Sequence, residues 1–573
     1  MGSALWGKRN SSPGMRTAAP ASPPLNERIP AVRANAALPF LRIPPFPGAK
    51  ARAFLPTDAV SRTDDATLAQ ILRNSRVGGS YWAAQPDLPE AFALVRDVEA
   101  LPFARAETAD PIVLWSDYVP AAVRVDTVTV RGECDPWHML SRATVLVSKK
   151  WDEVCLVARL LGVPVRLLDA ATGTWVACPA EVPALIRDSL PNGVVNPFTG
   201  KAISCREAVE LCSFWRSMID ANRDIAGGVG FAFWKQNCVA PLLWSGDARG
   251  FAFLRSARGI AHGSSVAVWR AKTPANVLAA LRDAKIPLVE VEDGFLRSRG
   301  LGADCIPPLS ITVDRLGAHF DPTRPSELER ILQAANLDDE LVARGARLRR
   351  LIVDAHLAKY ERDGDGAALP RPAGSRRHIL VPGQVEDDRA VVSGGCGLTS
   401  NLELLRQVRE QAPDAYLIYK PHPDVQAGHR RGAIAPSDCI RFADAIAADA
   451  PISSLIEMVD EVHVITSLAG FEALLRRKRV TTYGVPFYAG WGLTTDLGPV
   501  PARRTSRRSL DELVAAVLLL YPRYLDPITG LPCPAEVLVR RLSSEETALS
   551  TGFIVRVRRL QGQVMRRLGS VVA

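Results

Sequence analysis

No apolar run in the 573-residue sequence approaches the roughly 20 residues that a bilayer span needs. The longest, Leu513 to Tyr521, is about half that and sits in a helical pattern, which argues against an integral membrane protein. Lys8, Arg9 and Arg16 stand near the N-terminus without an apolar stretch behind them, so no secretory signal is expected and a cytoplasmic protein is predicted. Cysteine is sparse: ten are scattered with no CxxC pair and no Cys/His cluster. That pattern excludes a disulfide framework and a zinc site and predicts reduced thiols. There is no RRM, zinc-finger or helix-turn-helix signature, so 70 Lys and Arg against 61 Asp and Glu do not point to nucleic acid. The resulting charge of +9 suits another anionic partner, such as a nucleotide sugar or an acidic lipid surface.

What is present describes a folded α/β protein. Hydrophobic residues at 47% and charged residues at 23% are ordinary for soluble globular chains, and the length suggests about three or four compact units. Residues 1–80 form a Pro/Ala-rich leader (AAPASPPLNERIP, then LRIPPFPG) without helical or strand period, and are expected to be flexible. From 225 onward SSVAVW predicts a buried strand, TPANVLAALRDA a helix capped by Thr273 with Pro274 first, and PLVEVED the next strand. HILVPG, NLELLRQVREQ, AYLIYKPHP, EVHVITS, FEALLRRK and VTTYG continue the alternation. Two Rossmann-like lobes are therefore expected, over 225–375 and 376–545, meeting at the Gly/Pro-rich segment 361–377. An internal echo links PITG at 527–530 to PFTG at 197–200 and Val480 to Val165, with Cys533 and Cys205 following the two tetrapeptides. It marks 81–224 as a shortened, degenerate repeat. The tail 546–573 interleaves arginines with apolar residues, as an amphipathic helix on anionic headgroups or on the domain surface would.

Three clusters close predicted strands, where an α/β cleft holds its functional groups. Glu292 and Asp293 suit a general acid/base, with Gly294 allowing a sharp turn; a plain Asp-Gly turn shares that local sequence. Gln384 is followed by Glu386, Asp387 and Asp388, three carboxylates that repel one another unless the loop handles a ligand or cation, or is simply solvated. In Lys420-Pro421-His422-Pro423 two prolines pin an imidazole in a way useful against a phosphate. Thr466 and Ser467 precede a helix, forming a phosphate cradle or an ordinary N-cap, and Glu472 farther along it suits ribose hydroxyls. Together these provide a nucleotide-phosphate site, a carboxylate nucleophile and a second acid/base, the requirements of retaining sugar transfer.

At EDGFLRSRGLG, PGQVEDD, IYKPHPDV and TSLAGFEALLRRKRVTTYGVPFYAGWGLT the chain resembles the capsule polysaccharide biosynthesis family of KpsC-type β-Kdo transferases, LpsZ-like relatives included, over about residues 225–545. The resemblance implies a GT-B-like fold, CMP-β-Kdo as the donor nucleotide sugar, a lysophosphatidylglycerol or Kdo-linker glycolipid acceptor, and neither metal nor other cofactor. It implies Asp388 as nucleophile with Asp387 as alternate, and Glu292 or Asp293 as acid/base. His422 would contact the CMP phosphate, while Gln384, Thr466, Ser467 and Glu472 would line the nucleotide site. Charge complementarity adds Arg297 or Lys420 as partner of the Kdo carboxylate. Family members carry two tandem modules, but here the counterpart of Glu472 falls near Val157, so one active centre is expected. Capsule assembly proteins and a peripheral position at the inner membrane are the implied surroundings. A transferase for another CMP-nonulosonate and a catalytically silent scaffold remain alternatives.

Overall fold

The computed structural model describes residues 39–119, 127–169, 172–176, 181–296, 307–334, 336–357, 371, 376–428 and 430–544. The expected flexible leader over 1–80 is corrected in its second half. Phe40, Leu41, Ile43 and Phe46 are buried, and the Phe46 ring lies 5.1 Å from Trp244 and 6.1 Å from Trp215. Proline-rich backbone carries no helical or strand period, yet it can still present side chains to a core, which is why periodicity overlooked this segment. A helix then spans Asp65–Ser75, with the Asp64 carboxylate accepting from Thr67 N. The tail 546–573, Arg297, and all of 361–377 except 371, 376 and 377 lie outside the described residues.

Three six-stranded sheets follow along the chain. After the short strand β1 (Pro56–Thr57), the N-terminal sheet contains β2 (Phe92–Val95), β3 (Ile112–Trp115), β4 (Thr127–Val130), β5 (Ala143–Ser148), β6 (Val165–Asp169) and β7 (Thr174–Val176). Its order is β4-β3-β2-β5-β6-β7, parallel except for β7. A hairpin of β8 (Gly193–Val195) and β9 (Ala202–Ser204) pairs with β1. The middle lobe contributes β10 (Ile225–Val229), β11 (Ser265–Val268), β12 (Leu288–Asp293) and β13 (Ser310–Asp314). The C-terminal lobe contributes β14 (His378–Pro382), β15 (Tyr416–Lys420), β16 (Ala445–Ile446), β17 (Glu461–Val464), β18 (Arg479–Thr482) and β19 (Thr495–Asp496). Its order, β16-β15-β14-β17-β18-β19, is parallel throughout.

The chain then departs from the expected lobe limits. β20 (Pro522–Leu525) and β21 (Pro532–Cys533) return to the middle lobe, β20 lying antiparallel to β13, so 376–545 is not one lobe. Short strands of this kind carry little periodic signal; their partner is decided by the open edge of β13. A second correction concerns Thr273. The helix Ala275–Asp283 starts after Pro274, and the buried Thr273 hydroxyl donates to Trp269 O at 3.0 Å, so it does not cap that helix.

The echo in the sequence has a structural counterpart. β2 to β7 occupy the same sheet positions as β14 to β19. In each turn glycine takes the left-handed conformation, Gly200 at φ 68° and Gly530 at φ 70°, and donates to the carbonyl four residues earlier, Asn196 or Asp526, at 2.9 Å. The helix after each hairpin also reaches the other hairpin: Trp215 Nε1 donates to Pro532 O at 2.8 Å and Arg541 to Phe198 O at 2.7 Å.

Candidate active site

The middle lobe brings acids to the end of β12. Leu288, Glu290 and Glu292 alternate onto one face of the strand, and Asp293 onto the other. Lys235, buried near the start of the helix Phe233–Leu243, donates to Asp293 at 3.1 Å and lies 3.4 Å from the centre of the Trp269 ring. Gly294 is needed for a reason other than the expected sharp turn. It has no left-handed φ, but a Cβ there would collide with the Ser310 side chain, and its N–H donates to Ser310 O at 3.0 Å.

Glu292 meets the C-terminal lobe. Arg389 Nη1 donates to its Oε1 at 2.7 Å, and Arg389 Nη2 lies 3.6 Å from Glu290 Oε2. Burial pushes the Glu292 carboxyl up to about 7, while the Arg389 charge opposes that shift. Arg389 also lies 4.9 Å from the centre of the Phe320 ring. Arg389 carries no motif of its own in the sequence; an Arg directly after three acids is the one signal that could mark it.

The three acids after Gln384 do not act as one cluster, which corrects the picture of mutual repulsion. Glu386 accepts from Asn401 N at 2.8 Å, Asp387 is exposed and pairs with Arg430 at 3.2 Å, and Asp388 accepts from Ala390 N at 2.9 Å. Asp388 thereby caps the turn Arg389–Gly394 and sits next to the arginine that holds Glu292. Gln384 is buried, with hydrogen bonds at both its amide oxygen and its amide nitrogen. Its Oε1 accepts from Ile465 N at 3.1 Å and Thr466 N at 3.0 Å, and its Nε2 donates to Thr466 Oγ1 at 3.1 Å. It ties the ends of β14 and β17 together, and the neighbouring Asn401 braces its backbone through Gln384 N and O, each at 2.8 Å.

Lys420 ends β15, next to β14 in the sheet, and His422 follows it. Buried Lys420 donates to Ala448 O at 2.6 Å. His422 Nδ1 accepts from Asp424 N at 3.1 Å, which leaves Nε2 as the protonated nitrogen of the neutral ring. Ser467 accepts from Ala469 N at 3.2 Å and caps the helix Leu468–Leu475, on which Glu472 is buried. The ends of three adjacent parallel strands thus carry Gln384 with Asp388, Lys420 with His422, and Thr466 with Ser467. Much of the remaining motif is core. Phe295, just past Gly294, packs against Phe487 at 4.7 Å and Phe471 at 6.3 Å, joining the lobes, while Tyr488 and Trp491 are fully buried.

The N-terminal sheet carries different residues at the corresponding positions. Leu94 pairs with Val113 and Leu146 as Leu380 pairs with Ile418 and Val462. By that register Trp115 stands where Lys420 does, and Asp117 where His422 does. From cap to cap, Asp152 stands where Ser467 does and Val157 where Glu472 does. Arg96 lies 4.4 Å from the centre of the Trp115 ring and 3.4 Å from Asp152. Among the described residues no group of His, Cys, Asp and Glu is arranged to hold a metal ion, and no helix is long and apolar enough to cross a membrane.

The paired lobes, with candidate functional groups at facing strand ends, define a GT-B-like α/β protein. The model of the capsule polysaccharide biosynthesis protein family matches residues 264–369 and 357–524. That region of the chain belongs to the family. Capsule polysaccharide modification protein LipA of Neisseria meningitidis serogroup A is 39% identical over 361 residues, 61% of this chain and 51% of LipA. Lipopolysaccharide-processing protein LpsZ of Rhizobium meliloti is 44% identical over 268 residues, 46% of this chain and 61% of LpsZ. The chain thus spans about half to three-fifths of the curated relatives it matches. A solved structure of Thermosulfurimonas dismutans KpsC, beta Kdo 2,4 transferase, is 32% identical, with a TM-score of 0.48 over 56% of this chain and 98% of that one.

Proposed function

We propose that this protein is a retaining glycosyltransferase that moves Kdo from CMP-β-Kdo to a lysophosphatidylglycerol or Kdo-linker acceptor in capsular polysaccharide biosynthesis. The observation that carries the reading is the ion pair between Glu292 and Arg389, which joins the candidate acid/base of one lobe to the residue that follows the candidate nucleophile, Asp388, in the other. Family membership of 264–524 supplies the capsule context.

In the first step a carboxylate oxygen of Asp388 bonds to the anomeric carbon as the bond to the CMP phosphate breaks, its electron pair leaving on the phosphate oxygen. His422 Nε2–H and the hydroxyls and amides at Thr466 and Ser467 receive that phosphate. In the second step the acceptor hydroxyl oxygen bonds to the anomeric carbon, the Asp388 carboxylate leaves, and the hydroxyl proton passes to Glu292. A carboxyl that titrates near neutrality is matched to that task. Gln384 acts by holding the two strand ends in register. In this reading Lys420, at the end of β15, pairs with the sugar carboxylate, a role Arg297 could share. Nucleotide binds in the C-terminal lobe alone, because in the N-terminal sheet a phosphate would meet Asp117 and Asp152. A position at the cytoplasmic face of the inner membrane, near capsule assembly proteins, would follow from a lipid-linked acceptor.

Intact-mass analysis of the protein incubated with a CMP-Kdo generating system tests the scheme. Wild type should gain one Kdo and Asp388→Ala none. Absence of both adduct and transfer would favour another CMP-nonulosonate or a silent scaffold.

A further inference from the structure

A cavity of about 470 Å³ opens on the middle lobe beside the cleft, within the size range of small-molecule pockets. Its polar lining consists of Arg270, Arg282, Arg315 and Arg324 with Glu290 and Asp314. The two acids do not neutralise it. Asp314 is turned into its own loop, accepting from Leu316 N and Gly317 N at 2.9 Å and from Tyr521 Oη at 2.8 Å. Glu290 spends one oxygen, Oε1, on Arg270 Nη2 at 2.7 Å and Arg324 Nη2 at 2.6 Å. The Nη1 donors of both arginines, and the whole Arg282 guanidinium, have no acceptor among the described residues. Arg315 is committed to Asp224 at 2.8 Å. Leu278, Leu288 and Leu316 complete the wall.

We infer that this pocket binds the oxyanion of the acceptor, a phosphate or a sugar carboxylate, and so sets which hydroxyl reaches Glu292. Arg270 and Arg324, both held on a single carboxylate oxygen with donors to spare, and the neighbouring Arg282 suit a second, incoming oxyanion. The position fits as well. Glu290 lies two residues before Glu292 on the same face of β12, a step of about 7 Å, within reach of one sugar ring. Its second oxygen lies 3.6 Å from Arg389, the residue that holds Glu292. The aliphatic wall offers the apolar face that sugar rings pack against.

The inference rests on the transferase reading for its purpose, but binding can be tested without activity. Full-length protein saturated with CMP, so that the nucleotide site is filled, is titrated calorimetrically with inorganic phosphate and with free Kdo. Arg282 is exposed and makes no ion pair among the described residues, so Arg282→Glu should fold; Arg270→Gln is the second variant. Wild type should bind at least one probe, each variant at least tenfold more weakly, with CMP affinity unchanged. Tighter phosphate binding would identify a lipid headgroup as the source, and tighter Kdo binding a sugar-primed acceptor. In transfer assays the variants should raise the acceptor KM tenfold and leave the donor KM alone. No saturable binding below about 10 mM, or binding untouched by Arg282→Glu, overturns the inference. If the probes bind as expected but CMP does not, the donor assignment fails and the pocket stands.

Discussion

Arg389 and Glu292 are 97 positions apart in the chain and belong to different lobes, yet Nη1 of one lies 2.7 Å from Oε1 of the other. The pair joins the residue after the candidate nucleophile to the candidate acid/base.

That pair should govern the pH response. As a general base Glu292 must be deprotonated, so kcat/KM should rise with pH through an apparent pKa near 7, and Glu292→Gln should abolish that limb along with most transfer. Since the Arg389 charge lowers this carboxyl, Arg389→Met should move the limb to higher pH. Stability follows the same proton. The folded state holds it to about pH 7 and the unfolded chain to about 4.3, so this group's contribution is fully present below that lower value and is lost as pH rises towards 7. Denaturation of wild type and Glu292→Gln at several pH values should show the difference between them changing across that window.

Gln384→Leu should act through stability. It strands the N–H groups of Ile465 and Thr466 in a buried site, an expected cost of about 2–4 kcal/mol in urea denaturation. Unchanged stability with lost CMP binding would instead make Gln384 a ligand contact.

One CMP should bind per chain. Ser467→Asp, which copies the N-terminal sheet's Asp152 into the cradle, should weaken CMP at least tenfold by equilibrium dialysis, the like-charge contact being worth about 1.4 kcal/mol or more. A second equivalent of bound CMP would show that the N-terminal sheet has kept a nucleotide site.

The duplicated hairpins should differ in sensitivity. Fully buried Asp526 accepts from Thr529 N at 3.1 Å and pairs with Arg541 at 2.9 Å, so Asp526→Ala should cost about 3–5 kcal/mol. The Asn196 side chain, neutral and half-buried, accepts from Phe198 N and Thr199 N, and Asn196→Ala should cost about 1 kcal/mol. Chemical denaturation of the two variants measures the contrast.

Strand ends were legible because parallel strands buried on both faces are short apolar runs, and their polar closures stand out. HILVPG, AYLIYK and EVHVI became β14, β15 and β17 with Gln384, Lys420 and Thr466 at their ends. The first folded stretch was not legible, since burial of Phe46 against Trp215 and Trp244 depends on residues some 170 to 200 positions away.

By itself the sequence determined the α/β alternation, the repeat and the residue types gathered at the cleft, because these follow from local period and chain order. Tertiary structure alone decided that Gln384 braces two strands, that Arg389 spans the lobes, that β20 closes the middle sheet, and that four arginines surround one cavity. Those are contacts between distant segments, and only packing assigns their partners.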